Sequence, residues 1–303
     1  MRSMRRRGLL GALGRLLAAS VMVFILAFAL FGCGGKASQG AAEPPANEPA
    51  PPATEAPAAE AVTLQIFAAN SLEKALPEVQ ALYTAAHPEV TFSDSQFKAS
   101  GDLVEQLSAG AAADLLITAS KGTMDTAVEN GSVDEATRID MFGNDLVVVR
   151  AVGSDIQVSS LEDVQSDAIS RIAIGDAATV PAGAYANQAL NSIGLYSSDT
   201  GKDGEYAAAL VDKVVFADKV GTAANYVATG DCQIGFVYSS DIYRYDGIEA
   251  AFVTPADSHK AIIYPGAVIQ GSANAAAAAD FLSFCLTDAD AQAVWSKYGF
   301  QVL

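Results

Sequence analysis

Histidine is almost absent from this chain: His87 and His259 are the only two in 303 residues. They stand far apart and form no H-x-x-x-H pair, so a histidine-based metal site has no support. Basic residues are scarce too, with 18 Lys plus Arg against 35 Asp plus Glu and a net charge of −17. Such a chain lacks the basic patch with which a nucleic-acid binder meets phosphate. Capture of a small anion is not excluded, because local dipoles outweigh net charge at an enclosed site. No G-x-S-x-G elbow of a serine hydrolase occurs. Cysteine is limited to Cys33, Cys232 and Cys285. The last sits in an apolar helical stretch, FLSFCL, which favours two buried free thiols over a Cys232–Cys285 disulfide.

The first 60 residues differ in kind from the rest. Arg2, Arg5, Arg6, Arg7 and Arg15 precede an apolar run from Leu16 to Phe31. The run is short for a relaxed membrane span and ends in Leu30-Phe31-Gly32-Cys33. This is the layout of an export signal. Leu30, Gly32 and Cys33 resemble the lipobox of bacterial lipoproteins. That resemblance implies a signal peptide over residues 1–32 and a lipid on the Cys33 sulfur. Residues 34–60 hold no aromatic and no large aliphatic side chain. Such a stretch cannot bury enough surface to fold, and 33–60 reads as a lipidated cysteine with an extended Ala/Pro/Glu tether.

From residue 61 onward, strand-like and helix-like segments alternate. VTLQIFAA, VTFSDSQF, DLLITA, RIAIGD, KVVFA and CQIGFVY read as strands with helical stretches between them. Residues 274–300 read as one helical run. This order argues for α/β sheets with mainly parallel strands. Two segments leave the rhythm: FGNDLVVVR, and AFVTPADSHKAIIYPGAVIQ with His259. If both cross between lobes, residues 61–143 and 258–303 form lobe I, and residues 144–257 form lobe II.

Four strand-to-helix junctions have an unusual makeup. At the first, Asn70 and Glu73 have capping-box spacing, which makes Ser71 the first helical residue; Pro77 falls inside the helix and threatens to kink it. The second places Ser100 at a helix start. In the third, Pro181 stands at the first turn, and unpaired amides are expected at Ala182 and Gly183. The fourth is Asp218-Lys219-Val220-Gly221-Thr222. Helix N-termini present free N–H groups and a positive partial charge to an anion. In open α/β sheets they lie at the carboxyl ends of the strands, where ligands bind. A single serine at a helix start is usually a structural cap. Four such junctions, two per lobe, with almost no basic residue beside them, shift the balance towards a ligand site.

The motifs FAANSL, FKASGDLVEQLSAGAAADLLITA, GNDLVVV, GDAATVPAGAYA, IGFVYSSD, DSHKAIIYPGAV and YGF, in this order over residues 62–303, resemble the molybdate-binding proteins of ATP-binding-cassette (ABC) importers. The resemblance implies a two-lobed α/β fold of the periplasmic-binding-protein type II, with the oxyanion held in the cleft between the lobes and two interlobe crossovers. It implies ligand contacts from the hydroxyls and amides of Ser71 and Ser100, the amides of Ala182 and Val220, and the Tyr238 hydroxyl. Molybdenum then enters only as bound molybdate, its analogue tungstate is expected to bind too, and no cofactor is implied. The implied partners are an ABC permease and its ATPase, with the protein a monomer anchored outside the cell membrane by its lipid. Sulfate is the nearest rival cargo. Ser71-Leu72-Glu73-Lys74 also matches the S-x-x-K nucleophile motif of penicillin-recognising hydrolases, but the companion S-D-N and K-T-G motifs are missing.

Overall fold

A computed structural model of the protein describes residues 61–303. The expected signal peptide, Cys33 and the tether lie outside the described residues. The chain begins with β1 (Val62–Leu64) and β2 (Ile66–Ala69), followed by a 3-10 turn at Asn70–Leu72. Then come α1 (Ala75–Ala86), β3 (Val90–Phe92), β4 (Gln96–Lys98), α2 (Ser100–Ser108), β5 (Leu115–Ile117) and α3 (Lys121–Glu129). Next are β6 (Ile139–Asn144), β7 (Leu146–Ala151), β8 (Ile172–Gly175), α4 (Pro181–Ser192), β9 (Val214–Ala217), α5 (Val220–Ala228) and β10 (Ile234–Tyr238). The chain closes with β11 (Ile248–Val253), β12 (Ile262–Val268), α6 (Ala275–Thr287), α7 (Ala289–Lys297) and β13 (Gln301–Val302).

Two large sheets organise these elements into two lobes. One has six strands in the order β13-β6-β12-β5-β2-β4; the other has five, β11-β7-β10-β8-β9. Every residue of β2 and of β10 is buried, as expected for strands covered on both faces. Among the described residues the chain passes between the sheets twice. The first passage is the single residue Asp145, between β6 and β7. The second is residues 254–261, which include His259.

The sheets are mixed rather than mainly parallel. Strands β4, β2 and β5 run parallel, as do β9, β8 and β10. The strands next to the crossings pair antiparallel: β7 with β10 and β11, and β12 with β5 and β6. A strand that passes straight into the other lobe has no returning helix, and the returning helix is what makes neighbours parallel.

Three local expectations are corrected. Residues 274–300 form two helices, because Asp288 ends α6 and caps α7: its Oδ1 accepts from Asp290 N at 3.0 Å and Ala291 N at 2.9 Å. Helix α1 begins only at Ala75. Pro77 therefore sits in its first turn, where the missing N–H breaks no helical bond. Asn70 does not cap that helix, and its side chain has a different use, described below. Cys232 and Cys285 are free and buried, in agreement with the sequence.

Candidate functional site

The carboxyl ends of β2, β4, β8, β9 and β10 converge where the lobes meet. A small cavity there is lined by Asn70, Ser71, Ser100, Ala182, Val220 and Tyr238, among others. All five residues expected from the sequence thus face one space. Ser71, Ser100, Ala182 and Tyr238 are each about 1% exposed, and Val220 is 5% exposed.

On the six-stranded side, β2 delivers Ser71 within the 3-10 turn, not as the first residue of a helix. Its hydroxyl lies 2.9 Å from the Tyr264 hydroxyl on β12. It makes no S-x-x-K dyad, since Lys74 is exposed. Strand β4 delivers Ser100 as the first residue of α2. Its Oγ accepts from the Ala119 amide at 3.0 Å, which leaves the Ser100 hydroxyl hydrogen free to donate.

On the five-stranded side, Pro181 opens α4 and Ala182 follows it. The Gly183 and Ala184 amides both donate to the Val180 carbonyl, at 3.0 and 3.4 Å. Gly183 is therefore not the free donor expected from the sequence; the Ala182 amide is the one left over in this turn. Gly183 serves packing instead: a Cβ there would lie 1.9 Å from the Gly175 carbonyl oxygen. Val220 opens α5 in the same way. The Gly221 amide donates to Asn70 Oδ1 at 3.1 Å, while the Thr222 and Ala223 amides donate to the Lys219 carbonyl. The Val220 amide is left over.

Tyr238 ends β10 beneath these helix starts. Its backbone amide donates to Asp241 Oδ2 at 3.0 Å. Its hydroxyl is buried and has no partner among the described residues, a condition shared only with Arg244 Nε. Burial pushes the Tyr238 and Tyr264 phenols well above the ordinary tyrosine range, so both keep their hydrogens.

The lobes touch at two matching points beside the cavity. Asn70 accepts from Gly221 on one side, and the Gly101 amide on α2 donates to the Thr179 carbonyl, at 2.9 Å, on the other. A third link is the Arg244–Glu73 ion pair at 2.8 Å, with Arg244 also paired to Asp241.

Sequence reasoning missed Tyr264, Asn144 and the cross-lobe role of Asn70. The one available signal was glycine immediately inside two helix starts, at Gly101 and Gly221, where a poor helix former suggests close backbone approach. His87 stacks on Tyr83, whereas His259 contacts Thr254 and Lys260 within the second crossing. Among the described residues no cluster suited to a metal ion occurs.

A small cavity between two α/β lobes, lined by hydroxyls, helix-start amides and Lys98 among others, is the layout of a protein that captures a solute. The family model of the bacterial extracellular solute-binding proteins matches residues 64–301, and the chain belongs to that family. It is 33% identical over 244 residues to the molybdate-binding protein ModA of Escherichia coli (strain K12), covering 79% of this chain and 89% of that one. In structure it resembles the periplasmic molybdate-binding protein of Azotobacter vinelandii (19% identity, TM-score 0.65, 78% of this chain and 98% of that one). It also resembles the sulfate-binding protein SubI of Mycobacterium tuberculosis H37Rv (20% identity, TM-score 0.67, 80% and 87%). At these identities the two structural likenesses speak for the fold alone, that of the periplasmic binding proteins.

Proposed function

We propose that the protein captures molybdate, and tungstate with it, between its lobes and hands it to an ABC permease driven by a cytoplasmic ATPase. The unpartnered Tyr238 hydroxyl carries this reading. A buried phenol without an acceptor costs about 1–3 kcal/mol, and a bound oxyanion supplies that acceptor. The groups around it, the Ser71 and Ser100 hydroxyls and the Ala182 and Val220 amides, are neutral donors too. Molybdate at neutral pH is a fully deprotonated tetrahedral dianion and offers only acceptors. Hydrogen phosphate brings a proton that needs an acceptor, and a donor-only site leaves it unmatched. Tungstate has nearly the same size and charge as molybdate. The cargo of the Escherichia coli relative supports molybdate over sulfate.

The reading extends to the rest of the chain. Residues 61–143 with 258–303, and 144–257, are the two lobes that close on the ligand. The protein works outside the cytoplasm as a monomer, tethered to the membrane through lipid on Cys33. Calorimetric titration of the purified protein with molybdate, tungstate, sulfate and phosphate tests the cargo. One-to-one binding of the first two, with the others silent, is expected. Equal binding of sulfate would remove the cargo assignment and keep the fold.

A further inference from the structure

We infer that Tyr264, aligned by Asn144, is a positioning residue that makes Ser71 a dedicated hydrogen-bond donor to the captured anion. This inference rests on the oxyanion reading above.

The direction of each hydrogen follows from one backbone group. The Asp145 amide can only donate, and it donates to the Asn144 side-chain oxygen at 2.9 Å. The Ser239 hydroxyl donates to the same oxygen at 2.7 Å. The Asn144 NH2 group is thereby turned the other way, towards the Ser240 hydroxyl at 2.9 Å and the Tyr264 hydroxyl at 3.4 Å. Tyr264 Oη accepts from Asn144, so its own single hydrogen is free for the Ser71 oxygen at 2.9 Å. The reverse polarity, Ser71 donating to Tyr264, would send the Tyr264 hydrogen to the neighbouring Tyr238 oxygen and turn only lone pairs of Ser71 towards a bound dianion, which an anion disfavours. Ser71 Oγ therefore accepts from Tyr264, and its own hydrogen points to the cavity. Ser100 reaches the same state by another route, since its oxygen accepts the Ala119 amide. Both serines, each able to donate or accept in isolation, are held as donors. That is what a site must do to favour an anion with no proton over one that carries a proton.

A double-mutant cycle on molybdate affinity tests this. Tyr264→Phe keeps the ring, which packs edge-on to Tyr238 at 5.7 Å, and removes only the hydroxyl. With Ser71 present, it should weaken molybdate binding roughly tenfold and narrow the preference for molybdate over phosphate. In a Ser71→Ala background it should change affinity less than about twofold, because the group it orients is gone. Equal losses in both backgrounds, or none in either, overturn the inference. If Tyr264→Phe fails to fold, Asn144→Ala leaves the ring in place and removes the donor that sets the polarity; the same cycle must then show the same coupling. Failure of the wild type to bind any tetrahedral oxyanion would refute the cargo reading first; binding with an uncoupled cycle refutes this inference alone.

Discussion

Gly221 and Asn70 meet across the cleft, the amide of one donating to the side-chain oxygen of the other at 3.1 Å. Gly101 and Thr179 repeat the contact on the opposite side. Both glycines are needed for this approach. A Cβ on Gly101 would lie 2.7 Å from the Thr179 Cα, and one on Gly221 would lie 2.1 Å from the Tyr245 hydroxyl. Gly101→Ala meets backbone, which cannot swing away. It should cost the closed form about 1–3 kcal/mol, or roughly 5- to 150-fold in ligand affinity. The melting temperature of the empty protein should hardly change. Titration and melting of the same sample separate the two effects, and a large loss of empty-state stability would contradict this view of Gly101.

Tyr238→Phe should separate stability from binding. It removes a hydroxyl that has no hydrogen-bond partner among the described residues, so the empty protein should keep its stability to within about 1 kcal/mol. Oxyanion affinity should fall about tenfold or more. A mutant destabilised when empty would show that the hydroxyl already has a partner.

Alkaline pH offers a test without mutation. Burial raises the Tyr238 and Tyr264 phenols above the unfolded value, which is about 10. The folded form therefore keeps these protons longer than the unfolded chain. Their contribution to stability is complete below about pH 10 and is lost as pH rises above it. Ligand affinity should likewise show no tyrosine titration up to about pH 10. A binding loss with a midpoint near 9 that Tyr238→Phe abolishes would contradict the raised phenol.

Both thiols should resist alkylation. Cys232 and Cys285 are at most 1% exposed, and burial raises both above the ordinary thiol range. Less thiolate is then present at pH 8 than in a free cysteine. Iodoacetamide should label them only after denaturation, as mass spectrometry can show; rapid native labelling of either would contradict the buried setting.

Much of the site was legible because its parts are local. A serine, a proline or a small residue at a strand-to-helix junction can be seen in five residues, and the structure brings Ser71, Ser100, Ala182, Val220 and Tyr238 to one cavity. What was illegible is what depends on partners far along the chain. Asn70 has capping-box spacing to Glu73, yet its side-chain oxygen serves Gly221, 151 positions away. Tyr264 stands 193 positions from Ser71, and nothing in the spacing of IIYPGAV announces that contact. Gly183 looked like a free donor because the sequence does not show that the Val180 carbonyl accepts two amides. The direction of the strands flanking the crossings is hidden for the same reason, since it is set by which lobe the chain enters next.

The hydrogen-bond donors expected to hold the anion, two serine hydroxyls, four backbone amides and one phenol, carry no formal charge. A dianion held by such groups brings its whole charge with it and displaces no proton. The loaded protein should therefore run as a distinct species on ion exchange or in a native gel, two units more negative than the empty one, and its occupancy could be read directly from a mixed population.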